Sequence, residues 1–297
     1  VAEINTRHTN EKYLPGATLT EKLNATSDLA ELVDNADLVV MAIPSQSFRG
    51  VLEEVKQHIR AWVPVISLTK GLEAGTRMRM TQIINEVLPG HPVGVLTGPN
   101  LAREILDGRA AASVIAMEDE IIVQELQAVV HSGLLRIYTN TDINGCELGG
   151  VLKNFIAIGV GMGDGPGAGD NTRAGLITRG LAEVTRLGVA MGGRPETFAG
   201  LAGMGDMIAT CTSPQSRNHH VGIELGKGRE MDEIIGEMVM VAEGVKSAPI
   251  VMDLAEEYGV EMPIARDVAR VLSGEASASR AFRSLLRVEA GAESEPG

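Results

Sequence analysis

The sequence predicts an α/β protein, a doubly wound parallel sheet followed by an all-α domain. Three observations predict it. Up to about Asp142, short apolar runs of strand length alternate with segments of helical spacing, the pattern of strand–helix–strand crossovers. Beyond that residue the alternation stops and only helical spacing continues. Glycine is abundant, at 35 residues, while aromatic residues make up only 3%. Such a composition favours helices and strands in close contact over an aromatic-lined binding surface.

The elements follow in order. DLVVMAIP (37–44) is a continuous apolar run ending in proline, as expected of a strand buried on both faces. SFRGVLEEVKQHI (47–59) has helical spacing, VPVISLT (63–69) is the next strand, and a helix follows around 77–87. VGVLTGPN (93–100) reads as a strand running into a Gly-Pro turn, and LAREILDG (101–108) as a short helix stopped by glycine. AASVIA (111–116), a helix near 119–131 and LLRIYT (134–139) complete the series. Helices are then expected near 145–162, 174–192, 217–227, 243–259 and 263–273. The expected division is 1–142 for a dinucleotide-binding domain, 143–288 for a helical substrate-binding domain, and 289–297 for a small, acidic, disordered tail.

The 297 residues carry ample apolar material for real cores, and the formal net charge of −13 argues against nucleic acid and against anionic membrane. Cys146 and Cys211 make no disulfide framework, and no Cys/His spacing matches a metal site. The chain has no apolar run of about 18 residues, so no membrane span is expected, and the cytoplasm is the natural compartment. The polar start, VAEINTRHTNEK, contains no signal peptide and reads like the middle of a protein.

In a doubly wound sheet, ligands bind at the carboxyl ends of the strands. Lys70 and Gly71 lie just past the second apolar run, and Gly98 and Asn100 just past the third. Asn100 equally suits a helix cap. The polar turn Ser45–Gln46–Ser47 ends the first strand, and no role is assigned to it. In the helical half, Lys153 and Asn154 stand on a glycine-flanked apolar segment, LGGVLKNFIAIGV. A buried lysine is costly unless its charge is paired or used, and its pKa shifts readily on desolvation. Snorkelling to the surface is the plainer alternative. Asp206 sits between Gly205 and an apolar stretch, and Ser216, Arg217 and Asn218 open an expected helix. An arginine at a helix N-terminus makes a good phosphate site, although Ser216 could be no more than the cap. His219 and His220 read as surface residues, and Arg173, Arg179 and Arg186 as a solvated or subunit-facing set. The glycine-rich run GVGMGDGPGAG (159–169) closes no G-x-G-x-x-G register and follows a helix rather than a strand, so it is rejected as a dinucleotide fingerprint.

With these residues in hand, the chain resembles the NAD(P)-dependent glycerol-3-phosphate dehydrogenases of bacterial type. The matching blocks are YLPG (13–16), SLTKGLE (67–73), TGPNLAREI (97–105), LGGVLKNFIAIGVGMGDG (148–165), NTRAGLITRGLAE (171–183), LAGMGDMIATCTSPQSRN (201–218), VAEG (241–244) and GVEMPI (259–264). The resemblance implies that Lys153 is the proton donor and acceptor. It implies that Lys70, Gly98, Asn100, Lys153, Asp206, Ser216, Arg217 and Asn218 surround the substrate. Lys70, Ala102, Arg217, Val241 and Glu243 would approach the cofactor, NAD or NADP. Asn100 stands where many relatives carry Ser or Thr. The reaction implied is the interconversion of dihydroxyacetone phosphate and sn-glycerol 3-phosphate, which supplies glycerol 3-phosphate for phospholipid synthesis. A homodimer is implied, and no metal. The family opens with a strand, a glycine-rich loop, a helix and a second strand, and no such unit occurs in this sequence. The expected fold is therefore an N-terminally truncated Rossmann-like sheet followed by an all-α domain. Two alternatives remain at this point: a non-catalytic remnant serving dimerisation or phosphate binding, and a related hydroxyacid dehydrogenase.

Overall fold

The computed structural model describes residues 1–240 and 242–285. Val241 and the acidic tail at 289–297 lie outside the described residues. Two short helices, α1 (Ala2–Arg7) and α2 (Leu29–Val33), precede β1 (Val39–Met41), α3 (Phe48–Val55), β2 (Val65–Ser67), α4 (Met80–Val87) and β3 (Val93–Thr97). Then come α5 (Ala102–Leu106), β4 (Ala111–Met117), α6 (Glu120–Val130) and β5 (Leu135–Asn140). Helices follow without a further strand among the described residues: α7 (Ile143–Asp164), α8 (Asp170–Ala190), α9 (Pro195–Ala199), α10 (Asp206–Thr212), α11 (Arg217–Gly226), α12 (Met231–Glu237), α13 (Glu243–Glu257), α14 (Pro263–Leu272) and α15 (Ala278–Leu285).

The strands form one sheet in the order β1-β2-β3-β4-β5. β2 and β3 are covered on both faces, as their unbroken hydrophobic runs require. The expectation of a first strand buried on both faces is corrected: in β1, Val40 is 49% exposed between buried Val39 and Met41. One face packs Val39, Met41 and Val65 against Phe48 and Leu52 of α3 and Met80, Ile83 and Ile84 of α4. The other packs Ile66, Leu96, Ile115 and Ile137 against Val123 and Leu126 of α6. The expectation of an all-parallel sheet needs correction. β1, β2 and β3 run parallel, and so do β4 and β5, but β3 and β4 are antiparallel, with Leu96 opposite Ile115 and Thr97 opposite Val114. The reason is the connection. The five-residue α5 is too short to carry the chain back along the sheet, so the strand after it starts where β3 ends.

The centre of the helical half is α7. Every residue from Gly145 to Gly163 on it is buried, because α8, α10, α11, α13 and α14 all pack on it. Its core partners include Leu187, Phe198, Val251 and Leu254, and each such fully buried side chain stabilises the fold by roughly 1.5–3 kcal/mol. Asp142 caps its first turn by accepting from the Gly145 N–H at 2.9 Å. Helix α11 crosses α7 at backbone contact: a Cβ on Gly222 would lie 2.1 Å from the Ile158 carbonyl oxygen. Only glycine admits that approach.

Candidate active site

Three elements bring one carboxylate and two ammonium groups together. Lys153 projects from the middle of α7, Lys70 lies in the loop after β2, and Asp206 opens α10 directly after a π turn at Leu201–Gly205. Lys153 Nζ donates to Asp206 Oδ1 at 2.7 Å and to the Thr210 hydroxyl. Lys70 Nζ donates to Asp206 Oδ2 at 2.8 Å, to the Gly98 carbonyl at 3.1 Å and to Asn100 Oδ1 at 3.2 Å. Lys153 and Asp206 are 4% and 2% exposed, whereas the Lys70 side chain keeps 22% of its surface open. The snorkelling alternative for Lys153 therefore fails, and the cap alternative for Asn100 fails too, since its side-chain oxygen faces Lys70 rather than the start of α5.

The electrostatics of Lys153 follow from this geometry. Burial disfavours its charged form and lowers its pKa to about 8; Asp206 works against that shift and Lys70 adds to it. Cys211, buried on α10, is pushed up to about 12 by burial and stays a thiol.

A second group of contacts adjoins the first. The Asn218 side-chain amide donates to Asn154 Oδ1 at 2.9 Å and its oxygen accepts from the Gly244 N–H at 3.1 Å, while Asn154 reaches the Lys70 carbonyl at 3.4 Å. Glu243, at the start of α13, accepts from the Ser45 N–H at 3.1 Å and the Ser45 hydroxyl at 2.6 Å. A Cβ on Gly71 would fall 2.7 Å from Ser45 Oγ and 2.8 Å from Glu243 Oε2, so the ends of β1 and β2 and the start of α13 meet at one point. Ser216 caps α11, accepting from the His219 N–H at 3.2 Å, and Arg217 stands exposed on the first turn beside the field of Glu243. Ala102, exposed, opens α5. Val241 lies outside the described residues.

Of the residues singled out from sequence, Lys70, Gly98, Asn100, Lys153 and Asp206 are thus joined directly. Asn218 joins them through Asn154, while Ser216 and Arg217 sit at the neighbouring helix start. Sequence reasoning misses Thr210, whose signal is its position four residues after Asp206 on one helix, and assigns no role to Asn154 beside Lys153. Nothing local to Ser45 predicts its bond to Glu243, a residue so far along the chain. One reading is overturned: His219 is buried, and its Nε2 lies 2.8 Å from Asp164 Oδ2. Arg173, partly exposed, bonds Asp164 at 3.0 Å and Asp170 at 2.5 Å. A groove of about 320 Å³ lined by Val114, Asn140, Thr197 and Leu201 lies apart from all these groups.

For NAD or NADP, the donor set suits the reacting end of the cofactor. Lys70 and Arg217 supply cations, Glu243 and Ser45 supply an acceptor and a hydroxyl, and Gly71 keeps the floor between them free of a side chain. Among the described residues, no helix is long and apolar enough to cross a membrane.

Comparison with known proteins adds the following. The family model described as NAD-dependent glycerol-3-phosphate dehydrogenase N-terminus matches residues 1–123, and the one described as its C-terminus matches residues 142–283. The chain is 70% identical over 297 residues to glycerol-3-phosphate dehydrogenase (NAD(P)+) 2 of Sphingopyxis alaskensis, covering 100% of itself and 89% of that protein. It is 53% identical over 285 residues to glycerol-3-phosphate dehydrogenase (NAD(P)+) of Mycobacterium avium, covering 96% of itself and 84% of that protein. The crystal structure of glycerol-3-phosphate dehydrogenase from Coxiella burnetii superposes with a TM-score of 0.92 at 34% identity, over 97% of this chain and 88% of that one.

Proposed function

The chain belongs to the NAD-dependent glycerol-3-phosphate dehydrogenase family, and from that premise we propose that it interconverts dihydroxyacetone phosphate and sn-glycerol 3-phosphate with Lys153 as the proton-transferring group. The observation that carries the reading is the buried Lys153–Asp206–Lys70 chain. A ketone reduced by hydride becomes an alkoxide and needs a proton at its oxygen. Bound NAD(P)H supplies the hydride. Protonated Lys153 delivers the proton, and neutral Lys153 takes it back in reverse. A pKa of about 8 leaves both forms populated near neutral pH, the condition for efficient general acid–base catalysis.

Asp206 holds the Lys153 ammonium group on a fixed line and restores part of the proton affinity that burial removes. Lys70, more open than Lys153, faces the developing negative charge and the anionic substrate. Arg217 and the backbone at the start of α11 hold the phosphate, and Asn218 and Asn154 orient that helix start against α7. Gly98, Asn100 and Ser216 shape the wall around the substrate. Lys70, Ala102, Arg217 and Glu243 line the cofactor side, and Glu243 is oriented by its two bonds from Ser45. The remnant reading has no account of a buried lysine whose partners among the described residues are a buried carboxylate and a threonine. The same reading places the border between the two domains at Asp142, after the last strand and at the cap of α7, and the enzyme in the cytoplasm as a homodimer.

The test is oxidation of NADH and NADPH by the purified 297-residue chain with dihydroxyacetone phosphate and, separately, with unphosphorylated dihydroxyacetone. Turnover confined to the phosphorylated ketone supports the assignment. Equal kcat/KM for both ketones would move it to a hydroxyacid-type dehydrogenase, and no turnover with either would favour the remnant.

A further inference from the structure

A second buried carboxylate on α7 plays no part in the chemistry above. Glu147 is 4% exposed and lies six residues before Lys153, about 9 Å along the axis. Its Oε1 accepts from the Thr81 N–H at 3.0 Å, and its Oε2 accepts from Arg79 Nη1 at 2.5 Å and from the Thr81 hydroxyl. The donors belong to the first turn of α4 and the residue before it, so the carboxylate of one domain seizes the helix start of the other.

Between β2 and α4 runs the loop that carries Lys70. It is fastened to α7 at three points. Its far end is held by Glu147. Its middle is held by Leu72, which is fully buried in the core of the helical half against Leu148, Val151 and Leu152. Its near end is held by Asn154, which donates to the Lys70 carbonyl at 3.4 Å. An antiparallel bridge between Leu72 and Arg79 closes the loop on itself, so a shift of Arg79 is passed to Leu72, two residues from Lys70. Packing needs only an apolar residue where Glu147 stands; a carboxylate there is costly unless all its partners are in place.

We infer that Glu147 is a positioning residue for the reaction: it fixes the Lys70 loop on the helix that carries Lys153, so that both lysines meet Asp206 together. This rests on the dehydrogenase reading. Glu147→Gln removes the anion and turns an amide N–H toward Arg79 or Thr81. With that anchor gone Lys70 drifts from Asp206, and its field on Lys153 weakens. The charged and titratable groups that bear on Lys153 are Asp206, Lys70 and Cys211, and only Lys70 rides on the loop.

The experiment compares wild type, Glu147→Gln and Thr81→Val, the last removing only the hydroxyl donor. It reads kcat/KM for glycerol 3-phosphate oxidation across pH, and amide hydrogen exchange over residues 70–79. In Glu147→Gln, kcat/KM falls on the order of tenfold to a hundredfold, the alkaline midpoint moves to higher pH, and the loop exchanges faster while α7 is unchanged. Thr81→Val moves the same way by about tenfold, the low end of the scale for one hydrogen bond to a carboxylate. Should Glu147→Gln fail to fold, Thr81→Val carries the test. Loss of activity with an unmoved midpoint and unchanged loop exchange would overturn the inference, as would wild-type kinetics in either variant. Absence of turnover in wild type would strike the dehydrogenase reading instead, and loop exchange would still decide whether Glu147 anchors Lys70.

Discussion

Lys70 and Lys153 grip opposite oxygens of one buried carboxylate, at 2.8 Å and 2.7 Å from Asp206 Oδ2 and Oδ1. Two positive charges on one negative charge leave the trio cationic by one, at the place where an alkoxide is to be stabilised. The arrangement asks Lys153 to give up its proton readily.

Replacing Lys153 separates these roles. Lys153→Met is expected to lower kcat by roughly 10²–10⁴-fold with a small change in KM, because phosphate contacts remain. Lys153→Arg is expected to be as inactive, since a guanidinium does not deprotonate near neutral pH. Steady-state kinetics with circular dichroism as a check on folding reads both, and a variant retaining more than about a tenth of wild-type kcat would contradict the assignment.

The pH dependence has a definite sign. Oxidation of the alcohol requires neutral Lys153, so its kcat/KM should rise with pH and level off above about 8, while ketone reduction should decline above about 8. Stability follows the same proton. The folded pKa lies below the ordinary 10.5, so between about 8 and 10.5 the unfolded chain binds more protons and stability contributed by this group rises with pH. Denaturant titrations across that window should show the slope in wild type and its loss in Lys153→Met.

Arg217 is expected to act on binding. Arg217→Ala should raise KM for dihydroxyacetone phosphate by at least about tenfold, the scale of one charge-assisted hydrogen bond, with kcat changed less. KM for NADH should rise less than KM for dihydroxyacetone phosphate. An equal rise in the two KM values would remove the phosphate role.

Gly222→Ala tests the crossing of α7 and α11. The added methyl would lie 2.1 Å from a backbone oxygen that cannot swing aside, so a loss of roughly 3 kcal/mol or more is expected. Urea unfolding reads it, and wild-type stability would mean the helices are free to separate.

Glu183 tests a different joint. Buried on α8, it accepts from the Ile264 N–H at 2.7 Å and the Ala265 N–H at 3.2 Å, at the start of α14. Burial raises its carboxyl pKa to about 7, against the pull of those N–H groups. Because the folded value exceeds the ordinary 4.5, the stability it contributes is complete below about 4.5 and is lost as pH rises through about 7. Glu183→Ala should cost about 1–3 kcal/mol by leaving the N–H groups unpaired and should flatten that acid-side slope in thermal melts.

Much of this molecule could be read along the chain. Short apolar runs alternating with helical spacing announced β1 to β5, and long periodic segments announced α7, α8, α11, α13 and α14. The reversal at β4 was not readable, because an antiparallel step differs from a crossover in the length of α5 and not in the character of the strands. The short helices α9, α10 and α12 fell below the length at which periodicity speaks. In the site, Lys153 and Asp206 stood out as charges in apolar surroundings. His219 did not, since a histidine beside another at a helix start gives no hint that Asp164 comes to meet it. Glu147 was hidden for the opposite reason: a glutamate in a helix is ordinary until the helix proves to have no solvent side.

That last property of α7 has a consequence for how the molecule is made. Its packing partners α8, α10, α11, α13 and α14 all follow it in the chain. At ribosomal rates of about 5–20 residues per second, the stretch from the end of α7 to the end of α14 takes on the order of ten seconds to emerge. Throughout that interval the helix bearing Lys153 has only the sheet and the Lys70 loop to pack on, and the helices that cover the rest of it have yet to emerge. Cellular yield is then set by what shelters α7 during synthesis as much as by the stability of the finished fold.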